Sequence, residues 1–408
     1  MIAEIKAGAP RGRVLAPPSK SMAHRLLIGA ALSAGESTIH HIADSDDIRA
    51  TISCLSALGA TFRKQGSTVT VRGTDVTQRT GHADLFCNES GSTLRFLIPL
   101  ALLGGESATV TGSEQLLSRP LGVYEEIAAK QGLTYEKSQG SLAVGGRLSG
   151  GDYRVVGNVS SQFISGLLFA LPLCKTDSRI LITPPVESRS YIDLTVQALS
   201  YFGIAVAWED EHTLLVRGNQ TYRAAECTVE GDYSNAAFFS ALSLVGGEVT
   251  VDGLRADSLQ GDRAYINYFD MLTRGTPTIH LGNCPDLGPI LMALAAAKNG
   301  AVFCGTRRLK LKESDRGAAM AEELSKFGTS VEVHEDSIVV YPMDFHAPSA
   351  RLSGHNDHRI VMSLATLLTK TGGEIEGAEA VAKSLPEYFE MLSALGVEVS
   401  RHEGGMRS

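Results

Sequence analysis

Two kinds of segment alternate along the whole chain, and this repetition constrains the fold more than any other feature of the sequence. The first kind is an apolar run that ends in a turn and continues into a β-branched stretch, at residues 25–39, 96–110, 166–181, 237–251, 290–303 and 361–377. The second kind is an amphipathic run followed by one or two alternating stretches, at residues 51–71, 124–144, 194–216, 269–280, 321–340 and 389–400. Copies recur about every 70 residues, apart from one shorter step near residues 248–301, and this period is longer than a common solenoid unit. The sequence therefore predicts six small α/β subdomains, each with two helices and a few strands.

The two helix types differ in polarity. The first type is apolar nearly all round, which predicts a helix that is buried on every side. The second type has a polar face, for example Glu125 and Lys130 in one copy and Glu322 and Lys326 in another, so it is expected to lie on the outside. Six buried helices surrounded by six sheets follow from this pattern. If those helices run parallel, their N-termini converge, and unpaired N–H groups there form an anion site.

Composition narrows the class of protein. A chain of 408 residues that is 43% hydrophobic can bury a large core in more than one domain. A net charge of −8 argues against a nucleic-acid partner, so any anion site must be a local cluster. No apolar run reaches the roughly 18–20 residues of a membrane span, so no membrane partner is expected. Six cysteines without CxxC spacing favour reduced thiols in the cytoplasm over a zinc site or a disulfide framework.

Unusual residues lie where the predicted buried helices begin. Side chains suited to N-capping occur there, namely Ser90, Ser160, Ser234 and Asp286. Cations occur there too, namely Lys20, Arg25, Arg95 and Arg359. Because a helix dipole disfavours a cation at its N-terminus, these residues imply an anion nearby. A bound anionic ligand is the favoured interpretation, and a structural ion pair is the alternative.

A second group of charges belongs to residues 307–316, RRLKLKESDR. The alternation in this run predicts a strand that enters a helix at Ser314 and gathers Lys312, Glu313 and Arg316 at one junction. A solvated charge run is the alternative interpretation. Arg119 and Lys383 are also expected at loop-to-helix junctions, Arg119 at the start of a helix. This number of cations at loop-to-helix junctions would suit a site that binds two anionic substrates.

Other chemistry has little support in the sequence. There is no GxGxxG, Walker lysine loop, GxSxG or HExxH pattern, and no serine nucleophile with credible partners. His355 and His358 could form a metal pair, but His358 is better explained as a residue that orients polar neighbours. We therefore expect no metal and no cofactor.

Eight motifs in fixed order carry a resemblance to a known family. They are PPSKSMAHR, SGSTLRF, SRPL, VSSQF, SRSYID, KESDR, NDHR and AKSLPEYF, and they extend from Pro17 to about Leu395. With them the chain resembles the 5-enolpyruvylshikimate-3-phosphate synthase family. The resemblance implies a two-domain inside-out α/β prism of six βαβαββ repeats with buried helices. It places one domain at 19–229 and the other at 1–18 plus 230–408, with chain crossings near Pro17–Pro18 and Val229–Gly231.

The family resemblance also implies an activity. Members transfer the enolpyruvyl group of phosphoenolpyruvate to the 5-hydroxyl of shikimate 3-phosphate through a tetrahedral intermediate, releasing phosphate, in the pathway to aromatic amino acids. The active site is expected in a cleft that closes between the domains of a cytoplasmic monomer. One alternative is the sister enzyme that uses UDP-N-acetylglucosamine, although Glu114 stands where that enzyme carries a reactive cysteine. A non-catalytic repeat scaffold that binds an anion is the other alternative.

The resemblance carries over site residues motif by motif. The expected catalytic residues are Asp286, Glu313 and Lys20, with Lys20 reaching both substrates. The expected contacts of shikimate 3-phosphate are Ser21, Arg25, Ser160, Ser161, Gln162, Ser188, Tyr191 and Lys312, besides Asp286 at the 5-hydroxyl. The expected contacts of phosphoenolpyruvate are Gly91, Arg119, Arg316, Arg359 and Lys383. The loop ESGSTLRF departs from the usual family loop at Ser90, which leaves the response to glyphosate, the inhibitor of this family, open. Because an unpaired cation does not stabilise a fold, Lys20→Ala is expected to cost turnover and little stability.

Overall fold

The chain forms two compact units in this computed structural model, which describes residues 1–344 and 346–403. The discontinuous unit consists of Met1–Pro17 and Gly231–Ser408, and the continuous unit consists of Pro18–Glu230. The strands of the described residues, β1 to β22 in chain order, are Ile2–Ile5, Arg11–Leu15, Glu36–His40, Thr61–Gln65, Thr68–Arg72, Ala83–Phe86, Ala108–Thr111, Thr134–Ser138, Ser141–Gly145, Asp152–Val156, Ser178–Thr183, Val206–Trp208, Thr213–Val216, Glu226–Thr228, Glu248–Asp252, Thr278–His280, Ala301–Cys304, Val331–Val333, Ser337–Val340, Leu352–Ser353, Gly373–Glu376 and Val399–His402. The α-helices of the same residues, α1 to α13, are Lys20–Leu32, Asp46–Ala57, Gly91–Ala101, Glu114–Ser118, Gly122–Gln131, Ser161–Ala170, Arg189–Tyr201, Tyr233–Leu242, Tyr265–Arg274, Gly288–Ala297, Arg316–Ser325, His358–Thr371 and Tyr388–Ala394.

The continuous unit contains three sheets with the same strand order. They are β14-β3-β5-β4, β6-β7-β9-β8 and β10-β11-β13-β12. In each sheet the first pair is parallel and the other two pairs are antiparallel. Leu85, Val110 and Leu142 face one another across β6, β7 and β9 and are fully buried, so each sheet turns one side toward the helices.

The discontinuous unit repeats this plan with one reduction. Its four-stranded sheets are β16-β17-β19-β18 and β20-β21-β1-β22, and its third sheet contains only β15 and β2. The two-stranded sheet belongs to the repeat whose second helix is α9, which runs into β16 of the next sheet. This accounts for the shorter step near residues 248–301 in the sequence.

Helix burial follows the predicted division into two types. In α10, each residue from Gly288 to Ala296 is buried, whereas α9 buries only Tyr265, Phe269 and Leu272, one face at helical spacing. The buried helices are α1, α3 and α6 in one unit and α8, α10 and α12 in the other. The predicted mixed α/β class with buried helices and outer sheets is confirmed. Among the described residues, none of the helices combines the length and apolarity of a membrane span.

Each unit closes its sheets with a strand that is distant in sequence. In the continuous unit, β14 pairs with β3, and the backbone N–H of Ser19 donates to the carbonyl of Glu230 at 2.8 Å. In the discontinuous unit, β1 lies between β21 and β22, which are the last two strands described. The N-cap of α1 is thereby tied to the last residue of its unit, and the end of α12 is tied to the N-terminal segment through the N–H of Gly8, which donates to the carbonyl of Thr369 at 2.7 Å.

Four local predictions were wrong. Residues Arg307–Leu311 form a 3-10 helix rather than a strand, and they bury the adjacent side chains of Arg308 and Leu309, whereas a strand turns neighbouring side chains to opposite faces. Arg119 follows the last residue of α4 as its C-cap, and α5 begins only at Gly122. Asp232, rather than Ser234, caps α8, and Asp286 lies inside a 3-10 turn without capping a helix.

Candidate active site

In the continuous unit, Lys20 is the first residue of α1. Ser19 caps this helix, and the Lys20 Nζ lies 2.8 Å from Asp47 Oδ2, at the start of α2. Both side chains are largely buried, with 15% and 11% exposure. The premise that Lys20 is unpaired was therefore wrong, because the neighbouring helix supplies a carboxylate.

Arg25 lies one turn further along α1 and is held by neutral groups. Its Nε donates to Thr195 Oγ1 at 2.8 Å, and its two terminal nitrogens donate to the carbonyls of Ser21 and Tyr191 at 2.5 and 2.9 Å. Its guanidinium lies over the ring of Phe96, and burial lowers the pKa of Arg25 to about 10, which leaves it charged at neutral pH. No carboxylate among residues 1–344 and 346–403 pairs with it, so its charge is available to a ligand.

Two arginines converge on Gly91 at the start of α3. A Cβ on Gly91 would lie 2.9 Å from the nearest Arg119 nitrogen and 3.1 Å from the nearest Arg95 nitrogen, so a larger residue would displace them. Arg95 donates to Gln162 Oε1 at 2.7 Å, and Gln162 Nε2 donates to Ser92 Oγ at 3.0 Å. The starts of α3 and α6 are therefore joined beside two cations. Arg119 is buried, and within the described part of the chain no carboxylate pairs with it.

The predicted serines lie at the starts of two neighbouring helices. Ser160 caps α6 by accepting from the N–H of Gln162, and the buried Ser161 is the first residue of that helix. Ser188 precedes α7 with a left-handed φ of 55°, and Tyr191 lies in the first turn of α7. Since α7 packs against both α1 and α6, these residues and Ser21 lie in one region of the continuous unit.

In the discontinuous unit, Arg316 binds three carboxylates. Its Nε donates to Asp357 Oδ2 at 2.8 Å, and its terminal nitrogens donate to Asp286 Oδ1 at 2.8 Å and Glu313 Oε2 at 2.7 Å. The Arg316 side chain is 1% exposed. Burial disfavours its charge, but the three carboxylates outweigh burial and raise the pKa of Arg316 further. This buried guanidinium therefore fixes the positions of both predicted catalytic carboxylates.

Two further cations surround Asp286. Lys312 Nζ lies 3.1 Å from its Oδ1, and a terminal nitrogen of Arg359 lies 3.2 Å from its Oδ2. Burial raises the pKa of Asp286, but the charges of Arg359, Lys312 and Arg316 outweigh it and hold that pKa well below the ordinary value. Burial lowers the pKa of Lys312. Asp286 is thus an ionised carboxylate in a strongly positive environment.

Lys383 lies at the end of the 3-10 segment Ala378–Lys383 and is buried. Its Nζ donates to the backbone carbonyl of Asn356. Asn356 precedes Asp357, which caps α12 and binds Arg316. The structure therefore groups Lys383 with Arg359, Arg316, Lys312, Glu313 and Asp286.

The two histidines of HNDHR have different surroundings. His355 Nε2 lies 2.8 Å from the buried Glu323, and with Glu322 these groups are close enough to hold a metal ion. However, the Glu323 carboxylate also accepts from Lys326 Nζ at 2.9 Å and from the N–H of Ser353 at 2.9 Å, so its oxygens are already bonded. His358 is buried, with its Nδ1 3.8 Å from Asp357 Oδ1. The arrangement favours an ion-pair network over a metal centre.

Comparison with known proteins identifies one family. The family model of EPSP synthase (3-phosphoshikimate 1-carboxyvinyltransferase) matches residues 6–392. The chain belongs to the EPSP synthase family. The 3-phosphoshikimate 1-carboxyvinyltransferase of Clostridium kluyveri is 40% identical over 416 residues, covering 97% of each chain. The enzyme of the same name from Clostridium botulinum is 39% identical, covering 96% of this chain and 97% of its own.

A solved EPSP synthase shares the fold. The structure from Acinetobacter baumannii superposes with a TM-score of 0.80 at 22% identity, covering 98% of this chain and 100% of the other. The predicted family and the predicted transfer of an enolpyruvyl group to shikimate 3-phosphate are confirmed by the family match and the named relatives.

Several residues that contact the candidate site residues were not singled out from the sequence. Asp47 pairs with Lys20, and Asp357 orients Arg316, yet neither was chosen as a site residue. Arg95 was noted as a helix-start cation but was not assigned a role. The signals were present, since Asp47 lies in an acidic first turn and Asp357 lies inside NDHR.

Proposed function

We propose that the chain transfers the enolpyruvyl group of phosphoenolpyruvate to the 5-hydroxyl of shikimate 3-phosphate and releases phosphate, using the site residues named above. The observation that supports these assignments most is the placement of Asp286 and Glu313 on one buried guanidinium, that of Arg316. The reaction needs groups that move protons next to cations that hold anionic substrates. The Arg316 cluster supplies both within one unit.

We propose that shikimate 3-phosphate is held mainly by the continuous unit. Arg25 supplies a buried charge that no carboxylate of the described residues neutralises, and the starts of α6 and α7 supply N–H groups and hydroxyls. The proposed contacts are Lys20, Ser21, Arg25, Ser160, Ser161, Gln162, Ser188 and Tyr191, with Lys312 and Asp286 from the discontinuous unit.

We propose that phosphoenolpyruvate takes its charge partners from both units. Arg119 and the backbone at Gly91 come from the continuous unit, and Arg316, Arg359 and Lys383 come from the discontinuous unit. Guanidinium forks suit the carboxylate, and the Lys383 ammonium suits the phosphate as a point charge. In this proposal the two units are the two predicted domains.

Asp286 is proposed to accept the proton of the 5-hydroxyl. In the free protein its carboxylate is a weak base, because Arg359, Lys312 and Arg316 hold its pKa low. When an anionic substrate binds those cations, it takes up part of their positive charge, so the pKa of Asp286 rises. Binding of phosphoenolpyruvate would thereby turn Asp286 into an effective base at the moment when the hydroxyl must attack.

Glu313 is proposed to exchange the proton at C3. Protonation of C3 makes a methyl group while the hydroxyl oxygen bonds to C2, giving a tetrahedral adduct that still carries phosphate. Loss of one methyl proton to Glu313 and cleavage of the C2–O bond, with the proton held by Asp286 passing to the departing phosphate, then restore the double bond in the product. Because the methyl hydrogens are equivalent, reaction in deuterated water places deuterium in the vinyl group.

Acceptor preference tests the proposal. Phosphate release from phosphoenolpyruvate is measured with shikimate 3-phosphate, with UDP-N-acetylglucosamine and with no acceptor. We expect release only with shikimate 3-phosphate, with deuterium in the product vinyl group in deuterated water. Phosphate release with UDP-N-acetylglucosamine alone would support the sister reaction. If no phosphate is released with either acceptor, an anion-binding scaffold would be supported.

We also propose that the protein acts as a cytoplasmic monomer. All six cysteines are free, and Cys54, Cys87, Cys174 and Cys284 are buried, which suits a reducing compartment. Light scattering coupled to size exclusion should give the mass of one chain, about 43.3 kDa. A mass of two chains or more would overturn the monomer.

A further inference from the structure

Helices α1 and α2 of the continuous unit are joined by two successive side-chain pairs. Lys20 and His24 are one helical turn apart on α1, and Asp47 and Thr51 are one turn apart on α2. Lys20 Nζ pairs with Asp47 Oδ2 at 2.8 Å, and His24 Nδ1 lies 2.8 Å from Thr51 Oγ1. The second pair is not used by the proposed chemistry.

The second pair continues into α3 through buried hydroxyls. Thr51 Oγ1 lies 2.6 Å from Thr93 Oγ1, and Thr93 Oγ1 donates to Ser90 Oγ at 2.7 Å. Ser90 is the cap of α3 and directly precedes Gly91. The three hydroxyl residues are 0% exposed and His24 is 1% exposed, so water does not replace these bonds. A continuous chain of hydrogen bonds thus links the helix of Lys20 to the cap beside Gly91.

The direction of this chain follows from the number of available hydrogens. The Thr93 hydroxyl hydrogen is directed to Ser90, so the Thr51 hydroxyl must donate to Thr93. His24 Nδ1 must then carry the hydrogen that Thr51 Oγ1 accepts. Burial, with the charges of Lys20 and Arg25, holds the pKa of His24 well below its ordinary value, so the ring is neutral and its Nε2 is unprotonated.

We propose that His24, Thr51 and Thr93 are positioning residues that hold Lys20 and the Gly91 loop in one fixed register. Hydrogen bonds of 2.6–2.8 Å between buried groups break when either helix shifts by about 1 Å, so the chain specifies a single relative position of the starts of α1 and α3. The inference rests on the proposed function only in assigning Lys20 and Gly91 to substrate.

The tautomer of His24 tests the hydrogen-bond chain without substrate. In the intact protein, 15N NMR of the histidine side chains should show His24 neutral and protonated on Nδ1, at and below the ordinary histidine pKa of about 6.5. The variant His24→Gln identifies the signal. Thr51→Val removes the acceptor, so the ring should no longer favour the Nδ1–H form. If His24 of the wild-type protein were protonated on Nε2, the proposed chain of hydrogen bonds would be wrong, whatever the enzyme assay shows.

Kinetics of a matched pair of variants test the positioning role. Thr51→Val keeps the branched shape and loses the hydroxyl, whereas Thr51→Ser keeps the hydroxyl and loses a methyl group. For Thr51→Val, we expect kcat/KM for phosphoenolpyruvate to fall by roughly tenfold to a hundredfold, because small displacements of catalytic groups slow a reaction by factors of that size. For Thr51→Ser, kcat/KM should stay within about threefold of the wild-type value.

The two variants also separate positioning from stability. If Thr51→Val lowers Tm but leaves kcat/KM unchanged, Thr51 is only structural and the proposal is overturned. If Thr51→Val does not fold, the pair Thr93→Val and Thr93→Ser replaces it, with the same expectations. A wild-type protein that is inactive with shikimate 3-phosphate would contradict the proposed function. The His24 tautomer would still test the proposed chain of hydrogen bonds.

Discussion

The Nε of Arg316 and the Oδ2 of Asp357 lie 2.8 Å apart in an ion pair that excludes water, with side chains 1% and 0% exposed. The same carboxylate accepts the N–H of Arg359 at 2.9 Å and thereby caps α12. One aspartate thus orients two of the proposed substrate-binding arginines, one through its side chain and one through the start of its helix.

Replacing Asp357 should cost stability. In Asp357→Asn the amide oxygen can still cap α12, but Arg316 loses a buried counter-charge, so the free energy of unfolding should fall by about 2–4 kcal/mol. Urea denaturation measures it. Asp252→Asn is the matched control, because Asp252 pairs with Arg13 at the surface, where ion pairs contribute at most about 1 kcal/mol. Equal effects of the two variants would contradict the role of burial.

Replacing either proposed proton carrier should reduce turnover. Asp286→Asn and Glu313→Gln keep size and polarity but cannot exchange protons, so kcat should fall by roughly 10²–10⁴-fold. Glu313→Gln should also slow deuterium entry at C3. Steady-state phosphate release measures the first effect, with the surface variant Asp270→Asn as control. A Glu313→Gln enzyme that exchanges deuterium at the wild-type rate would assign that proton to another group.

Lys20 should contribute to both turnover and stability, which revises the expectation from the sequence. Lys20→Met leaves Asp47 in a largely buried position without the partner that lies 2.8 Å away, so the free energy of unfolding should fall by about 1–3 kcal/mol. In the double variant, Asp47→Asn should restore part of the lost free energy of unfolding without restoring turnover. Thermal unfolding and kcat of the wild type and the two variants test this, and a Lys20→Met protein of unchanged Tm would show that the pair is not stabilising.

Asp262 should make the protein less stable as pH rises. Burial, followed by the neighbouring charge of Asp286, raises the pKa of Asp262 to about 6. An acid whose pKa is higher in the folded state binds protons preferentially when folded, so stability is lost as pH rises from the unfolded value of about 3.9 toward 6 and above. Between pH 5 and pH 7 this group should cost about 1 kcal/mol.

The matched variant for that pH effect is Asp262→Asn, whose amide oxygen can still accept from Ser234. Its free energy of unfolding should lack the 1 kcal/mol decline that Asp262 adds to the wild type. Urea titrations at pH 5 and pH 7 measure the difference. Parallel changes in the two proteins would mean that Asp262 is already ionised at pH 5.

Two arginines of the continuous unit should affect different substrates. Arg25→Lys cannot reproduce the three hydrogen bonds to Thr195, Ser21 and Tyr191, so KM for shikimate 3-phosphate should rise by about tenfold or more. Arg119→Lys should raise KM for phosphoenolpyruvate by a similar factor. In each variant, the KM for the other substrate should stay within about threefold of the wild-type value. If both variants raised the same KM, the proposed assignment of the substrates would be wrong.

The sequence was sufficient to predict the fold because its repeats are strong. The apolar runs that become α10 and α3 are buried on all sides, and few structures other than central helices allow this. The element type of residues 307–311 could not be predicted, because the alternation of Leu309 and Leu311 does not reveal that the adjacent Arg308 and Leu309 are both buried in the fold. That burial depends on tertiary packing, which local sequence does not record.

The site was predictable in its residue types but less so in its charge balance. A cation at a helix start implies a negative partner, and the sequence alone does not say whether a ligand or a carboxylate provides it. Lys20 has Asp47 as such a partner, whereas Arg25 has only neutral groups among the described residues. The difference arises from helix packing, since α2 presents its acidic first turn to Lys20. Tertiary contacts of this kind are not recorded in local sequence.

The placement of β1 between β21 and β22 sets an order for biosynthesis. On the ribosome, the segment made first must wait for the segment made last before its hydrogen bonds can form. The continuous unit has no such delay, because every strand it needs has emerged by Glu230. The nascent chain can therefore complete the continuous unit while β1 still lacks both of its partner strands.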